Sequence, residues 1–174
     1  MIRIAVIGNS SGGKSTMARR LAARRDLPYV EIDRFLWLPG WQLAPSDRYE
    51  AEHTRIVGQD RWVVDGLGRL ESLPSRLDRA TQIVLIDLPL QEHLRLAEAR
   101  QSAWVEGRLD EPSAGAAEPP SNERLFRTIR EIDRDWMPRI RSQLAERRLA
   151  GKEVHCLTCL EDVDSFGGTE PIER

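Results

Sequence analysis

The sequence predicts an α/β fold in which short apolar strands alternate with helices. Two observations predict it. Five apolar runs rich in β-branched residues recur at 2–7, 29–33, 61–65, 82–88 and 153–157, with helix-forming sequence between them. The first run leads straight into Gly8-Asn9-Ser10-Ser11-Gly12-Gly13-Lys14-Ser15-Thr16, a glycine-rich turn that opens a helix.

A length of 174 residues suits one domain with a proper core. Hydrophobic content of 40% and charged content of 31% are those of an ordinary globular protein. The net charge of −2 argues against a nucleic-acid or membrane partner held by bulk attraction. No apolar run approaches the roughly 20 residues of a membrane span, and no signal-peptide pattern precedes the first strand. Two cysteines make no disulfide framework, so a cytoplasmic location is expected.

The glycine-rich turn reads G-x-x-x-x-G-K-S, the pattern of a phosphate-binding loop. Glycines let the backbone turn so tightly that several N–H groups point into one concavity. That concavity opens a helix N-terminus, where a phosphate is favoured. Gly8, Ser10, Ser11, Gly12, Gly13, Lys14, Ser15 and Thr16 are therefore the expected nucleotide-binding residues. Lys14 would reach the β- and γ-phosphates, Ser15 would be a Mg²⁺ ligand, and Thr16 would lie near the α-phosphate. Among 26 Lys and Arg residues only Lys14 and Lys152 are lysine. A compact ammonium has been kept at the one place where an arginine fork is no substitute.

The helix after the loop is expected over 16–25, with Met17 and Leu21 on one face. The second strand ends in Asp33, and an aromatic segment, Arg34 to Trp41, follows it. Phe35, Trp37 and Trp41 suit either core packing or a substrate wall at the carboxyl end of a strand. Ser46 is expected to cap a helix over 47–57 that Gly58 ends. His53 on its apolar face reads as a core-edge histidine. The third strand ends in Asp65. A carboxylate there, paired with Lys14 and Ser15, is the expected second residue of a magnesium site.

The run at 82–88 is nearly continuous apolar sequence, as in a strand buried on both faces. A helix is expected over 90–104, then a Pro- and Gly-rich loop over 106–122 that suits a lid. A long helical region follows over 123–149, and Pro138 should kink or divide it. Its arginines, from Arg124 to Arg141, read as a solvated face with internal ion pairs, from which one or two early members could swing towards a phosphate. Thr158 and Glu161 have the spacing of a capping box for a short last helix, and the tail beyond Gly167 should fray. Cys156 and Cys159 form C-x-x-C beside His155, but residues three apart on a strand face opposite ways, so no metal or redox site is expected.

From the loop through Asp65-Gly66 the chain resembles adenylate-kinase-like P-loop proteins, and more specifically the small bacterial group of DNA topology modulation proteins. The residues that carry this are Gly8 to Thr16, Ile32 to Trp41, and Arg61 to Gly66. The resemblance implies a three-layer α/β/α P-loop NTPase fold of the nucleotide-kinase kind, with a five-stranded parallel sheet and a short lid. It implies one domain over 1–174, with an acceptor segment at about 34–60 and a lid at about 105–123. Nucleoside-monophosphate kinases place Asp-Gly-x-x-Arg after the third strand, here Asp65-Gly66-Leu67-Gly68-Arg69. By that similarity Asp65 would hold hydrated Mg²⁺ and Arg69 would contact the acceptor phosphate. The lid departs from the pattern, and Arg95, Arg100 and Arg108 are its nearest arginines.

These residues point to an ATP- and Mg²⁺-dependent kinase for a small acceptor, with Lys14, Asp33, Arg69 and Arg100 as its catalytic candidates. The acceptor stays open. A nucleoside monophosphate needs arginines and no base, whereas an alcohol profits from Asp33 as a base. The rival reading is a nucleotide-binding regulator or weak ATPase with no dedicated acceptor.

Overall fold

The computed structural model describes residues 1–108 and 119–166. In chain order the elements are β1 (Ile2–Gly8), α1 (Lys14–Arg25), β2 (Tyr29–Glu31), a 3₁₀ turn (Ile32–Phe35), β3 (Trp37–Leu38), β4 (Gln42–Leu43), α2 (Ser46–Val57), β5 (Arg61–Asp65), α3 (Leu73–Arg79) and β6 (Gln82–Ile86). Then come α4 (Leu90–Val105), α5 (Asn122–Glu131), a π-helical segment (Ile132–Trp136), α6 (Met137–Leu149), β7 (Glu153–Leu157) and α7 (Leu160–Phe166).

Five of the strands form the one parallel sheet that the resemblance implies, and their order is β2-β5-β1-β6-β7. Period-two alternation sends neighbouring residues of each strand to opposite faces, and both faces are apolar. Ala5, Ile7, Trp62, Val64, Ile83 and Leu85 pack against residues of α2, α3 and α6. Ile4, Val6, Val63, Val84 and Ile86 pack against Met17, Ala18, Leu21 and Ala22 of α1 and Val163 of α7. The result is the expected three-layer arrangement. The connection that leaves β1 runs towards β2 and the one that leaves its neighbour β5 runs the other way to β6, so the crevice where open sheets bind ligands lies at the carboxyl ends of β1 and β5.

Several elements differ in detail from the sequence reading. β2 stops at Glu31, and Asp33 sits in the 3₁₀ turn rather than on a strand. Helix α1 begins at Lys14, so the loop's lysine is already helical. Ser46 lies inside α2, which starts after Pro45 with no side-chain cap. The Thr158 capping box does not form: α7 starts at Leu160, and Asp162 Oδ2 instead accepts the Thr158 N–H at 3.3 Å. Two elements are additional, the β3–β4 hairpin and the short helix α3. Pro138 does divide the long helical region. It lacks an N–H, so the helix restarts at Met137 with proline in its first turn, after a π-helical segment. Most of the expected lid, residues 109–118, and the tail from 167 onward lie outside the described residues.

Candidate active site

The turn from β1 into α1 is possible only with glycine at its ends. A Cβ on Gly8, at φ +144°, would lie 2.2 Å from the Ile86 carbonyl oxygen, and Gly13 caps α1 at φ +86°. No side chain caps α1, which leaves its first N–H groups for an anion. The loop is pinned from behind. Asn9 is fully buried; its Oδ1 accepts the Ser10 N–H at 2.7 Å and its Nδ2 donates to the Ile129 carbonyl of α5 at 2.8 Å. His93 of α4 donates from Nδ1 to the Ser10 carbonyl at 2.8 Å, and burial lowers its pKa towards the neutral form. Gly12 is needed for that contact, since a Cβ there would stand 2.8 Å from His93 Cε1.

Lys14 Nζ donates to the Asn9 carbonyl at 2.6 Å. Burial lowers its pKa, against the pull of Asp33 and Asp65. Asp65, at the end of β5, is 1% exposed, and each of its oxygens accepts a hydroxyl. Oδ2 takes Ser15 Oγ at 2.6 Å and Oδ1 takes Tyr29 OH at 3.1 Å. Burial raises the Asp65 pKa to about 6, with Ser15 and Lys14 opposing. Ser15 Oγ and Asp65 supply hard oxygen donors beside a phosphate cradle, and that donor set fits Mg²⁺ completed by phosphate and water. No group of three or more His, Cys, Asp and Glu side chains among the described residues could hold a metal, Cys156 and Cys159 included.

Asp33 faces the loop from the 3₁₀ turn, and its Oδ1 accepts the Gly68 N–H at 2.9 Å. Burial raises its pKa, with Lys14 the largest opposing charge. The backbone of 66–68 comes this close because two glycines allow it. A Cβ on Gly66 would lie 2.7 Å from Asp33 Oδ2, and one on Gly68 would lie 2.0 Å from Tyr49 OH. Arg76, fully buried, holds the same turn through Nη2 bonds to the Gly66 and Leu67 carbonyls at 2.8 and 3.0 Å.

One cavity of about 570 Å³ joins these groups. Gly8, Ser10, Ser11, Lys14, Ser15, Asp33, Asp65, Arg69 and Arg100 all line it, whereas Gly12, Gly13 and Thr16 do not. Its far half is lined by Leu36, Trp37, Trp41, Trp104, Leu125 and Trp136. Trp41 meets Trp37 and Trp104 edge to face, with ring centroids 5.7 and 6.4 Å apart. Phe35 packs on the core, and Trp37 serves both core and cavity. His53 is buried against the Tyr49 ring away from the cavity, and burial lowers its pKa to about 4, in keeping with a core-edge histidine.

The arginines are distributed differently from the sequence expectation. Arg69 lines the cavity, but its Nη2 donates to the Ala44 carbonyl at 2.7 Å and its guanidinium lies over the Tyr49 ring. Arg108 pairs with Glu106 and Arg95 with Glu92, both on the surface, and neither lines the cavity. Arg124 does line it, donating to the Trp41 carbonyl at 2.9 Å with its guanidinium 5.8 Å from the Trp37 ring centroid. Sequence reasoning did not single out Asn9, Tyr29, Arg76, His93, Trp104 or Trp136. Only the two tryptophans carried a signal, as part of a set of five in a chain otherwise poor in aromatics.

No protein-family model matches the chain, and no curated protein is similar to it. Among solved structures it is similar to shikimate kinase from Bacteroides thetaiotaomicron, with 11% identity, 95% of this chain and 94% of that chain covered, and a TM-score of 0.50. It is similar to the same degree, 11% identity and TM-score 0.50 over 95% of this chain and 93% of the other, to an uncharacterized protein from Eubacterium ventriosum ATCC 27560. The fold is that of a P-loop kinase. At this identity the likeness concerns the fold alone. No helix among the described residues is long and apolar enough to cross a membrane.

Proposed function

We propose that this protein is a phosphotransferase that moves the γ-phosphoryl group of ATP to a small acceptor. One observation carries this reading: the phosphate loop and the tryptophan-lined half belong to the same cavity, with Asp33 on its wall. A bare nucleotide holder has no use for the second half.

On this reading the loop amides and Lys14 hold the β- and γ-phosphates. Ser15 and Asp65 would hold Mg²⁺, which would neutralise charge on the phosphates during transfer. Arg100, which lines the cavity, would neutralise charge on the transferring group; Arg69 lines it too and is held at the Ala44 carbonyl. The acceptor, a nucleoside monophosphate or an alcohol, lies along the segment at about 34–60. That segment overlaps the block Ile32 to Trp41, on which the resemblance to the DNA topology modulation proteins rests. The lid at about 105–123 would exclude water, so that ATP is not simply hydrolysed. An enzyme of this kind works as one domain in the cytoplasm, where ATP is plentiful.

The test is ADP release from Mg·ATP with and without a panel of nucleotides and small alcohols. Acceptor-dependent release, abolished in a folded Lys14→Ala variant, is the expected result. Slow release that no acceptor stimulates would favour a regulatory nucleotide-binding protein instead.

A further inference from the structure

The acceptor half of the cavity has a charge pattern that narrows its ligand. Glu31 and Asp33 both line it, and the Glu31 side chain is only 12% exposed. The cations that could balance an incoming anion are already engaged. Arg69 is held by the Ala44 carbonyl and the Tyr49 ring, and Arg124 by the Trp41 carbonyl and the Trp37 ring. Arg34 pairs with Glu31 at 3.0 Å, and Glu31 is also the main charge acting on Arg100. A phosphate monoester dianion is ordinarily held by forks of guanidinium N–H donors aimed at its oxygens. Here it would displace those contacts and stand against two carboxylates. The apolar wall, by contrast, is ready for a flat ring. The edge-to-face arrangement of Trp37, Trp41 and Trp104 presents both ring faces and ring edges, and Trp136 and Leu36 line the same cavity.

We propose that the acceptor is a ring-bearing alcohol that carries no phosphate or carboxylate, its ring against the tryptophans and its hydroxyl at Asp33. The proposal rests on the kinase reading above. In the transfer, the acceptor's hydroxyl oxygen forms a new bond to the γ-phosphorus. The bond from that phosphorus to the oxygen bridging it to the β-phosphate breaks, and its electron pair leaves with ADP. The hydroxyl proton passes to the Asp33 carboxylate and on to solvent. The products are ADP and a phosphate monoester. That product brings a dianion next to Asp33 and Glu31, and the repulsion assists its release.

Matched pairs of probes test this. Adenosine and thymidine are compared with their own 5′-monophosphates, and tryptophol serves as a ring alcohol without a sugar. Binding is read from quenching of the cavity tryptophans, and transfer from ADP release with Mg·ATP. The expected result is that each nucleoside binds about tenfold or more tightly than its monophosphate, the size of effect that like-charge juxtaposition produces. Asp33→Asn should narrow that ratio towards one, and Trp37→Ala should weaken every ring probe alike. Tighter binding of the monophosphates, an unchanged ratio in Asp33→Asn, or no binding of any ring alcohol overturns the proposal. If only the monophosphates stimulate ADP release, the proposal falls and the kinase reading stands. If ring alcohols bind and nothing stimulates ADP release, the kinase reading falls, and the acceptor assignment falls with it.

Discussion

Ser15 Oγ donates to Asp65 Oδ2 across 2.6 Å, so the hydroxyl that opens α1 and the carboxylate that ends β5 are one unit before any metal arrives. Tyr29 OH holds the other carboxylate oxygen at 3.1 Å and fixes its plane. Groups that orient a metal ligand typically account for about 10–100-fold in affinity. Tyr29→Phe is therefore expected to raise the Mg²⁺ or Mn²⁺ concentration needed for nucleotide binding by about tenfold. Asp65→Asn should raise it further. Titration of Mn²⁺ by electron paramagnetic resonance in the presence of ADP measures both, and an unchanged Mn²⁺ affinity in Tyr29→Phe would refute the orienting role.

Two buried groups titrate in opposite senses in the acid range. Asp65 has its pKa raised by burial from 3.8 to about 6, so the folded state holds that proton more tightly than the unfolded chain. The stability this gives is fully present below the unfolded value and is lost as pH rises through 6, roughly 3 kcal/mol in metal-free protein. His53 has its pKa lowered by burial from 6.5 to about 4. Its contribution is present above 6.5 and is lost as pH falls through 4, again roughly 3 kcal/mol. Between pH 4 and 6 the two partly cancel. Melting temperatures measured from pH 4 to 8 without metal should show this. Asp65→Asn should leave a profile whose stability falls as pH drops from about 6.5 to 4, and His53→Leu one whose stability falls as pH rises from about 4 to 6. A wild-type profile that neither substitution alters would disprove the assignment.

Gly68→Ala is expected to destabilise the protein by roughly 2–4 kcal/mol, because it combines a left-handed backbone with a clash. The residue has φ +63°, and its Cβ would fall 2.0 Å from Tyr49 OH. Gly66→Ala should destabilise the protein as well, since the residue has φ +100°, and should in addition cut turnover, because its Cβ would stand 2.7 Å from Asp33 Oδ2. Urea denaturation and ADP release on the two variants measure both effects. Wild-type stability in either variant would contradict the assignment.

Asn9→Ala removes the bond from the loop to the Ile129 carbonyl and leaves the Ser10 N–H without its 2.7 Å acceptor. Losing one or two buried hydrogen bonds costs about 1–3 kcal/mol, and the loop's shape depends on these. ADP binding should weaken by about tenfold. Calorimetric titration with Mg·ADP checks it, and wild-type affinity would show that the backbone holds its shape unaided.

The strands and the phosphate loop were legible because their signals are local. An apolar β-branched run and a G-x-x-x-x-G-K-S spacing each lie within nine residues. The acceptor half was not legible, because it is assembled across the chain. Trp41 meets Trp104 of α4, and Arg124 of α5 crosses to the β3–β4 hairpin. Nothing near Arg69 in the sequence says that its guanidinium would choose the Ala44 carbonyl 25 residues away. Helix α3, seven residues with Pro74 in its first turn, is too short to show a period. Asp33 read as a strand end because it closes the run Tyr29-Val30-Glu31-Ile32, which is rich in strand-forming residues, and only the 3₁₀ turn carries it into reach of Gly68.

The π-helical segment at Ile132–Trp136 amounts to one surplus residue threaded into an otherwise α-helical rod. One residue of α-helix turns the rod by about 100°. The surplus therefore sets the angular phase between α5, which carries Arg124 and Leu125 to the cavity, and α6, which is locked to the sheet by Met137, Ile140 and Leu144. Deleting a single residue there would shift that phase by about 100° while α6 keeps its core contacts and Pro138 still marks its start. It would also swing the Arg124 face out of the cavity. A one-codon change in length, rather than any substitution, is the sharpest way to disassemble this wall.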